Sequence, residues 1–110
     1  MQPIPKRMLK NQATIKLYEG NAGEGPTYSE EIDLTHIKIE EKKVFTTTRD
    51  GSEVIGNATM FYDCKNSKGL SEVPTQNSEI TFGGRTYKVV EADVLRGNSA
   101  APHHYEVILK

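Results

Sequence analysis

Apolar and polar residues alternate with a period of two along most of the chain. Ala13, Ile15 and Leu17 share one parity, with Thr14, Lys16 and Tyr18 between them. That spacing puts one set of side chains on a single face and predicts a half-buried strand. Gly20, Gly23, Gly25 and Pro26 punctuate residues 19–28 and predict a loop. Between residues 30 and 43 a helix competes. At about 100° per residue, Ile32 and Ile39 fall on one side and Leu34 and Ile37 on the other, so no apolar stripe forms. As a strand, Ile32 and Leu34 are even, whereas Ile37 and Ile39 are odd. One inserted residue near Thr35–His36 reconciles the two sets, as a β-bulge does. A long, bent strand is therefore predicted here.

The rest of the chain follows the same pattern. Residues 44–53 are β-prone but polar, and Asp50-Gly51 is a turn dipeptide. Val54, Ala58, Met60, Tyr62 and Cys64 share even positions, with Gly56 where neighbouring backbone can approach closely. Lys65 to Ser78 reads as a long loop, rich in Gly, Pro, Asn and Ser. Ile80 and Phe82 lead into Gly83-Gly84 and then Arg85, Thr86 and Tyr87, which predicts a hairpin with a type I′ turn. A strand over 86–95, a loop at Gly97, Asn98 and Pro102, and a last strand through Tyr105, Val107 and Leu109 complete the reading. The fold class predicted is all-β: a small, mostly antiparallel barrel of about six strands with long loops. Ile15, Leu17, Ile37, Ile39, Met60, Phe82, Val89 and Val107 are its expected interior. The polar segments Val44–Glu53 and Lys65–Ser78 are its expected mobile parts, because they offer little apolar area to offset the entropy of ordering.

Length and charge narrow the classes. The 110 residues make one domain, 1–110, with an arm over about 1–11. There is no run of 18 apolar residues and no apolar stretch behind the N-terminal charges, so neither a membrane span nor a secretory signal is expected. A single cysteine makes no internal disulfide and favours a reducing compartment. Charge is unevenly spread: residues 1–18 carry Lys6, Arg7, Lys10 and Lys16 with no acid, and residues 19–53 carry a net −5. A basic arm and an acidic stretch can steer a partner or a second copy.

Chemistry-bearing residues are sparse. His103 and His104 are neighbours on a predicted strand, where successive side chains point to opposite faces, so they are not expected to share a metal. Cys64 has the parity of Met60 and Tyr62 and reads as a small buried hydrophobe rather than a nucleophile. Glu30-Glu31 and Glu40-Glu41 are adjacent acids that diverge on a strand, so no carboxylate dyad follows. Gly83-Gly84 precedes no helix and is no phosphate loop. A barrel binding single-stranded nucleic acid needs exposed aromatics on a basic face, and most aromatics here sit at core parity. No catalytic residue, metal site or cofactor is expected. From pattern alone the chain is a binding or assembly module.

Several segments then occur together in order: Pro3-Ile4-Pro5-Lys6-Arg7-Met8-Leu9, Phe61-Tyr62-Asp63, Phe82-Gly83-Gly84-Arg85-Thr86-Tyr87-Lys88-Val89 and His103-His104-Tyr105-Glu106-Val107. Over nearly its whole length the chain resembles the minor capsid, or head–tail connector, proteins of long-tailed phages and prophages of Gram-positive bacteria. The resemblance implies a stopper-type connector, made in the host cytoplasm and located in the virion at the head–tail junction. Such a protein forms a ring of copies of itself under the portal, helps retain packaged DNA and docks the tail. Its implied partners are portal or adaptor proteins, tail proteins and nearby DNA bound without sequence specificity, with no membrane. The resemblance also implies a loop lining or plugging the channel. By position that is Val44–Glu53, with Thr46, Thr47, Thr48, Arg49 and Asp50 as candidate channel residues. Candidate subunit contacts are Lys6, Arg7 and Lys10 against Glu30, Glu31 and Asp33, a head-to-tail arrangement of the kind that closes rings. The alternative left open is a monomeric small β-barrel binding single-stranded nucleic acid.

Overall fold

The computed structural model describes residues 5–21, 23, 25–96 and 102–110. Pro3 and Ile4 of the arm, and Gly97 and Asn98 of the last expected loop, lie outside the described residues. A 3-10 turn over Lys6–Met8 leads into β1 (Asn11–Lys16). The strands that follow are β2 (Tyr18–Asn21), β3 (Pro26–Tyr28), β4 (Ile32–Glu40), β5 (Val44–Thr48) and β6 (Gly51–Gly56). The last four are β7 (Ala58–Asp63), β8 (Glu79–Phe82), β9 (Arg85–Arg96) and β10 (Pro102–Leu109). Six of them close a barrel in the order β1-β4-β7-β10-β9-β8, and β8 pairs back onto β1. Every pairing in the barrel is antiparallel.

Closure depends on the bend in β4. Asn11 pairs with Ile37 and Ala13 with Leu34, so two steps along β1 face three along β4. The extra residue is accommodated at His36, whose φ is 55°, in the left-handed region. Leu34 and Ile37 therefore both point inward and are fully buried, as the switch of parity predicted. The backbone freed by the bulge is satisfied from three directions. The Asn11 side-chain oxygen accepts from the Ile39 N–H at 2.9 Å. Ser67 Oγ donates to the His36 carbonyl and accepts from the Asp63 N–H. Thr35 and Lys68 exchange backbone hydrogen bonds at 3.0 and 3.1 Å.

Inside the barrel, Ile15, Leu34, Ile37, Met60, Ile80, Val89, Val107 and Leu109 are almost wholly removed from water. Burying each large apolar side chain contributes about 1.5–3 kcal/mol against the entropy of ordering. Leu17, Ile39 and Phe82 pack on this core while half-buried. Gly83 and Gly84 both have positive φ, 59° and 78°, which is the type I′ turn of the β8–β9 hairpin. Gly56 sits where β6 meets β10: a Cβ there would lie 2.9 Å from the Leu109 carbonyl oxygen. That is the close backbone approach its position in the pattern suggested.

Four expectations need correction. The 19–28 segment is not a plain loop: β2 and β3 pair as a small hairpin, with Tyr18 and Tyr28 ring centroids 5.7 Å apart. Residues 44–53 are likewise paired, because β5 and β6 form a two-stranded sheet of their own. Val54 is exposed despite its core parity, because the chain changes sheet between Gly56 and Ala58 and parity does not carry across. Cys64 is exposed because β7 ends at Asp63. The Lys65–Ser78 segment has little regular structure, as expected, yet it is pinned at Ser67, Lys68 and Ser78.

Met60→Ala should destabilise the fold by about 2–5 kcal/mol, whereas Phe45→Ala should change stability by less than about 0.5 kcal/mol. Ser67→Ala should cost about 1–3 kcal/mol by removing the buried hydroxyl that bonds both the His36 carbonyl and the Asp63 N–H. Urea unfolding of the three variants checks this ranking. A Phe45→Ala loss as large as that of Met60→Ala would mean the hairpin is part of the folding core.

Candidate functional site

The β5–β6 hairpin stands apart from the barrel sheet. Across it Phe45 faces Val54, Thr46 faces Glu53, Thr47 faces Ser52 and Thr48 faces Gly51. Thr48 Oγ1 donates to the Gly51 carbonyl at 3.2 Å, and Arg49-Asp50 make the turn. Gly51 takes a φ of 132°, a value open to glycine and strained for other residues. The candidate channel residues Thr46, Thr47, Arg49 and Asp50 are exposed and Thr48 is half-buried. The root is held on β10, where Gly56 packs against Ile108 and Leu109 and the Asn57 N–H donates to the Leu109 carbonyl at 2.7 Å. Beyond that root most of the hairpin's residues are exposed. A two-stranded hairpin alone is marginal in water.

The sequence pattern missed the hairpin's apolar pair. Phe45 is 58% exposed and Val54 36% exposed, and they lie directly opposite each other. Val54 was credited to the core by parity, and Phe45 lay in a stretch read as polar. The available signal was the turn dipeptide Asp50-Gly51 between two β-prone runs; the turn itself is Arg49-Asp50, and that register pairs 45 with 54.

The basic arm leads into β1. Lys6 and Arg7 are on the 3-10 turn, Lys10 follows it, and Leu9 is buried beneath them as the anchor. The three cations line an open groove of about 820 Å³ shared with Asn11, Thr35 and His36. Glu30 and Glu31 are exposed just ahead of β4, and Glu31 lines a small cleft with Lys16 and Glu79. Asp33 faces Thr14 across β1–β4. Among the described residues no ion pair joins Lys6, Arg7 or Lys10 to Glu30, Glu31 or Asp33. Both sets are free to meet another chain.

A polar cluster closes the end of β7 and β10. The histidines do not diverge as an ideal strand would have them. Pro102 pairs with Arg96 and His104 with Leu95, so a register shift at His103 turns the two rings toward each other. Their Nδ1 atoms are 2.9 Å apart, which requires one N–H and one bare nitrogen. His104 Nε2 lies 3.6 Å from Glu106 Oε1, so an Nε2–H there faces a carboxylate. His104 Nδ1 is then the bare acceptor and His103 Nδ1–H the donor. His103 Nε2 is buried with no hydrogen-bond partner among the described residues.

Alongside, the Tyr62 and Tyr105 rings stack at 5.7 Å. Tyr62 accepts from the Leu70 N–H at 2.9 Å and donates to its carbonyl at 3.3 Å, which ties down the long loop. Burial pushes both tyrosine hydroxyls above their ordinary range. Although Cys64 is exposed as a residue, partial desolvation beside Tyr105 pushes its thiol up; the hydrogen bond with the Tyr105 hydroxyl opposes this and the Asp63 charge adds to it. That is the reverse of what an activated nucleophile needs. No group of three or more metal-ligating side chains comes together among the described residues.

At neutral pH, long-range ¹H–¹⁵N spectra should show His103 protonated on Nδ1 and His104 on Nε2. The reverse tautomers on both rings would overturn the assigned order. Cys64 should alkylate more slowly than an unstructured cysteine peptide at pH 7 and catch up only at more alkaline pH. Equal rates at pH 7 would contradict the raised thiol.

No curated protein and no solved structure matches the chain. A family model described as minor capsid protein matches residues 5–109, which takes in the arm from Pro5, the whole barrel and all of the small hairpins. The chain belongs to this minor capsid protein family of bacteriophages.

Proposed function

We propose that this chain is a ring-forming component of the phage head–tail junction. Membership of the family supplies the broader statement, a structural role in the virion. The finer reading places a ring of copies beneath the portal, where it helps retain packaged DNA and presents a surface to the tail. The observation that carries it is the β5–β6 hairpin, a polar-tipped projection rooted on an otherwise closed barrel. In the ring its tip, Thr46 to Asp50, faces the channel. Hydroxyls and a balanced Arg49-Asp50 turn suit a wet passage that DNA must cross without being gripped. The basic arm reaches acids on the next copy, and portal, adaptor and tail proteins cover the two ends of the ring.

The distribution of aromatic residues supports this reading over a single-strand nucleic-acid barrel. Tyr62, Tyr87 and Tyr105 are spent in the core, and Tyr18 and Tyr28 pack on each other. No row of exposed rings is left for bases to stack on among the described residues. The isolated chain is monomeric or weakly associated, and it closes into a ring only on the portal–adaptor template. Exposed ion pairs are worth only about 0–1 kcal/mol each, so such contacts need a template to add up.

Replacing Thr46–Asp50 and Gly51 by a shorter turn should leave the barrel folded and the chain incorporated, and should yield heads that lose DNA. Reversing Lys6, Arg7 and Lys10 together should reduce incorporation and give heads that leak DNA or lack tails. DNA content and tail attachment of purified particles are the measurements. Full DNA retention and normal tails in both variants would refute the proposal.

A further inference from the structure

The two histidines at the start of β10 have no part in the proposed assembly, yet the corner they occupy ties several segments together. His104 is buried and His103 half-buried. The Cys64 N–H, just past β7, donates to the His103 carbonyl at 3.1 Å. His104 pairs with Asp63 on β7 and with Leu95 on β9. The adjacent Tyr105 ring stacks on Tyr62, whose hydroxyl holds the long loop at Leu70. The ring contact itself sits at the register shift between Pro102 and His104.

That contact limits the protons the corner can carry. Two ring nitrogens 2.9 Å apart hold one hydrogen between them. The neutral pair has that hydrogen and a second on His104 Nε2, facing Glu106. One further proton fits only on His103 Nε2, which is buried and faces no acceptor among the described residues. The next would put hydrogens on both Nδ1 atoms, pointing at each other. We infer that the His103–His104 contact is an acid-sensitive latch: protonation parts the two rings and frees the 102–104 end of β10 from Cys64, while the barrel stays closed. The open corner binds more protons than the closed one, so opening grows as pH falls. The surrounding charges do not lift the restriction. Glu106 favours a cation on His104, but at the nitrogen that already carries its hydrogen. Asp63 on β7 is buried, and its carboxylate accepts from the Lys65 and Asn66 N–H groups. Lys65 lines a cleft of about 240 Å³ with His103, and Arg96 on β9 lies opposite Pro102, so both oppose added positive charge. Asp93 faces Glu106 from β9, and Glu72 of the long loop acts on Tyr105. Tyr62, Tyr105 and Cys64 hold their protons more tightly than usual and stay neutral as histidines titrate.

The test is amide exchange on the full-length chain between pH 7 and pH 5, read together with histidine ¹⁵N spectra. Corrected for intrinsic exchange, protection of the Cys64 amide should fall at least about twentyfold, because a solvated histidine ordinarily takes its proton near pH 6.5. Met60 and Val107 in the barrel should keep their protection, and imidazolium signals should grow in step with the loss at Cys64. In His103→Asn the side-chain amide can donate to His104 Nδ1 or accept from it, and no buried Nε2 remains. That variant should make Cys64 protection independent of pH. Unchanged Cys64 protection in the native chain, two imidazolium rings with Cys64 still protected, or parallel loss at Met60 and Val107 would each overturn the inference. So would a native pH response in folded His103→Asn; should that variant not fold, the readouts on the native chain decide.

Discussion

One residue too many in β4 organises this molecule. The left-handed turn at His36 lets Leu34 and Ile37 point inward together, three positions apart, where an unbroken strand would send one of them to solvent. The same irregularity bends β4 so that its first half pairs with β1 and its last residues with β7. Without that hand-over the barrel could not close. The backbone it disturbs is repaired by Asn11 from β1 and by Ser67 from the long loop, so strand, loop and bulge hold one another. Ser67, the hub of this repair, is itself buried, and removing its hydroxyl costs about 1–3 kcal/mol, a large share of the stability of a chain of this size.

Closure has a consequence for assembly. A closed barrel hides its strand edges and offers little for another chain to pair with. What remains outside is small: a basic turn at the N-terminal end, the short β2–β3 hairpin and the longer β5–β6 hairpin. In the proposed assembly these projections are what meets the neighbours, and the barrel is the rigid mount that carries them. The mount is literal at Gly56, where only the absence of a side chain lets the hairpin root lie against Leu109. Weak contacts through projections are what the proposed template-dependent assembly requires.

Much of the barrel was legible in the sequence, because parity within one strand survives folding. Ile15, Met60, Val89 and Val107 are inside as their alternation required. The bulge was legible too, since a change of parity inside one apolar run admits few explanations. The illegible parts lie where the chain changes sheet or breaks register. Val54 and Cys64 shared the parity of Met60, yet the first lies before the break at Asn57 and the second beyond the end of β7. The histidine pair was misjudged for the same reason. A register shift at His103 is invisible to alternation, and it brings together two rings that a regular strand would separate. The residues with chemistry and exposure, Phe45 above all, were hidden by reading a hairpin as a loop.

The central claim is that this chain forms a ring at the portal vertex with its β5–β6 hairpins directed at the channel. Cryo-electron microscopy of intact particles, reconstructed about the portal axis, measures this directly. The account predicts a ring of small barrels below the portal, each with a two-stranded projection toward the axis. Density for the chain dispersed over the capsid shell, or a ring whose hairpins point outward, would contradict it.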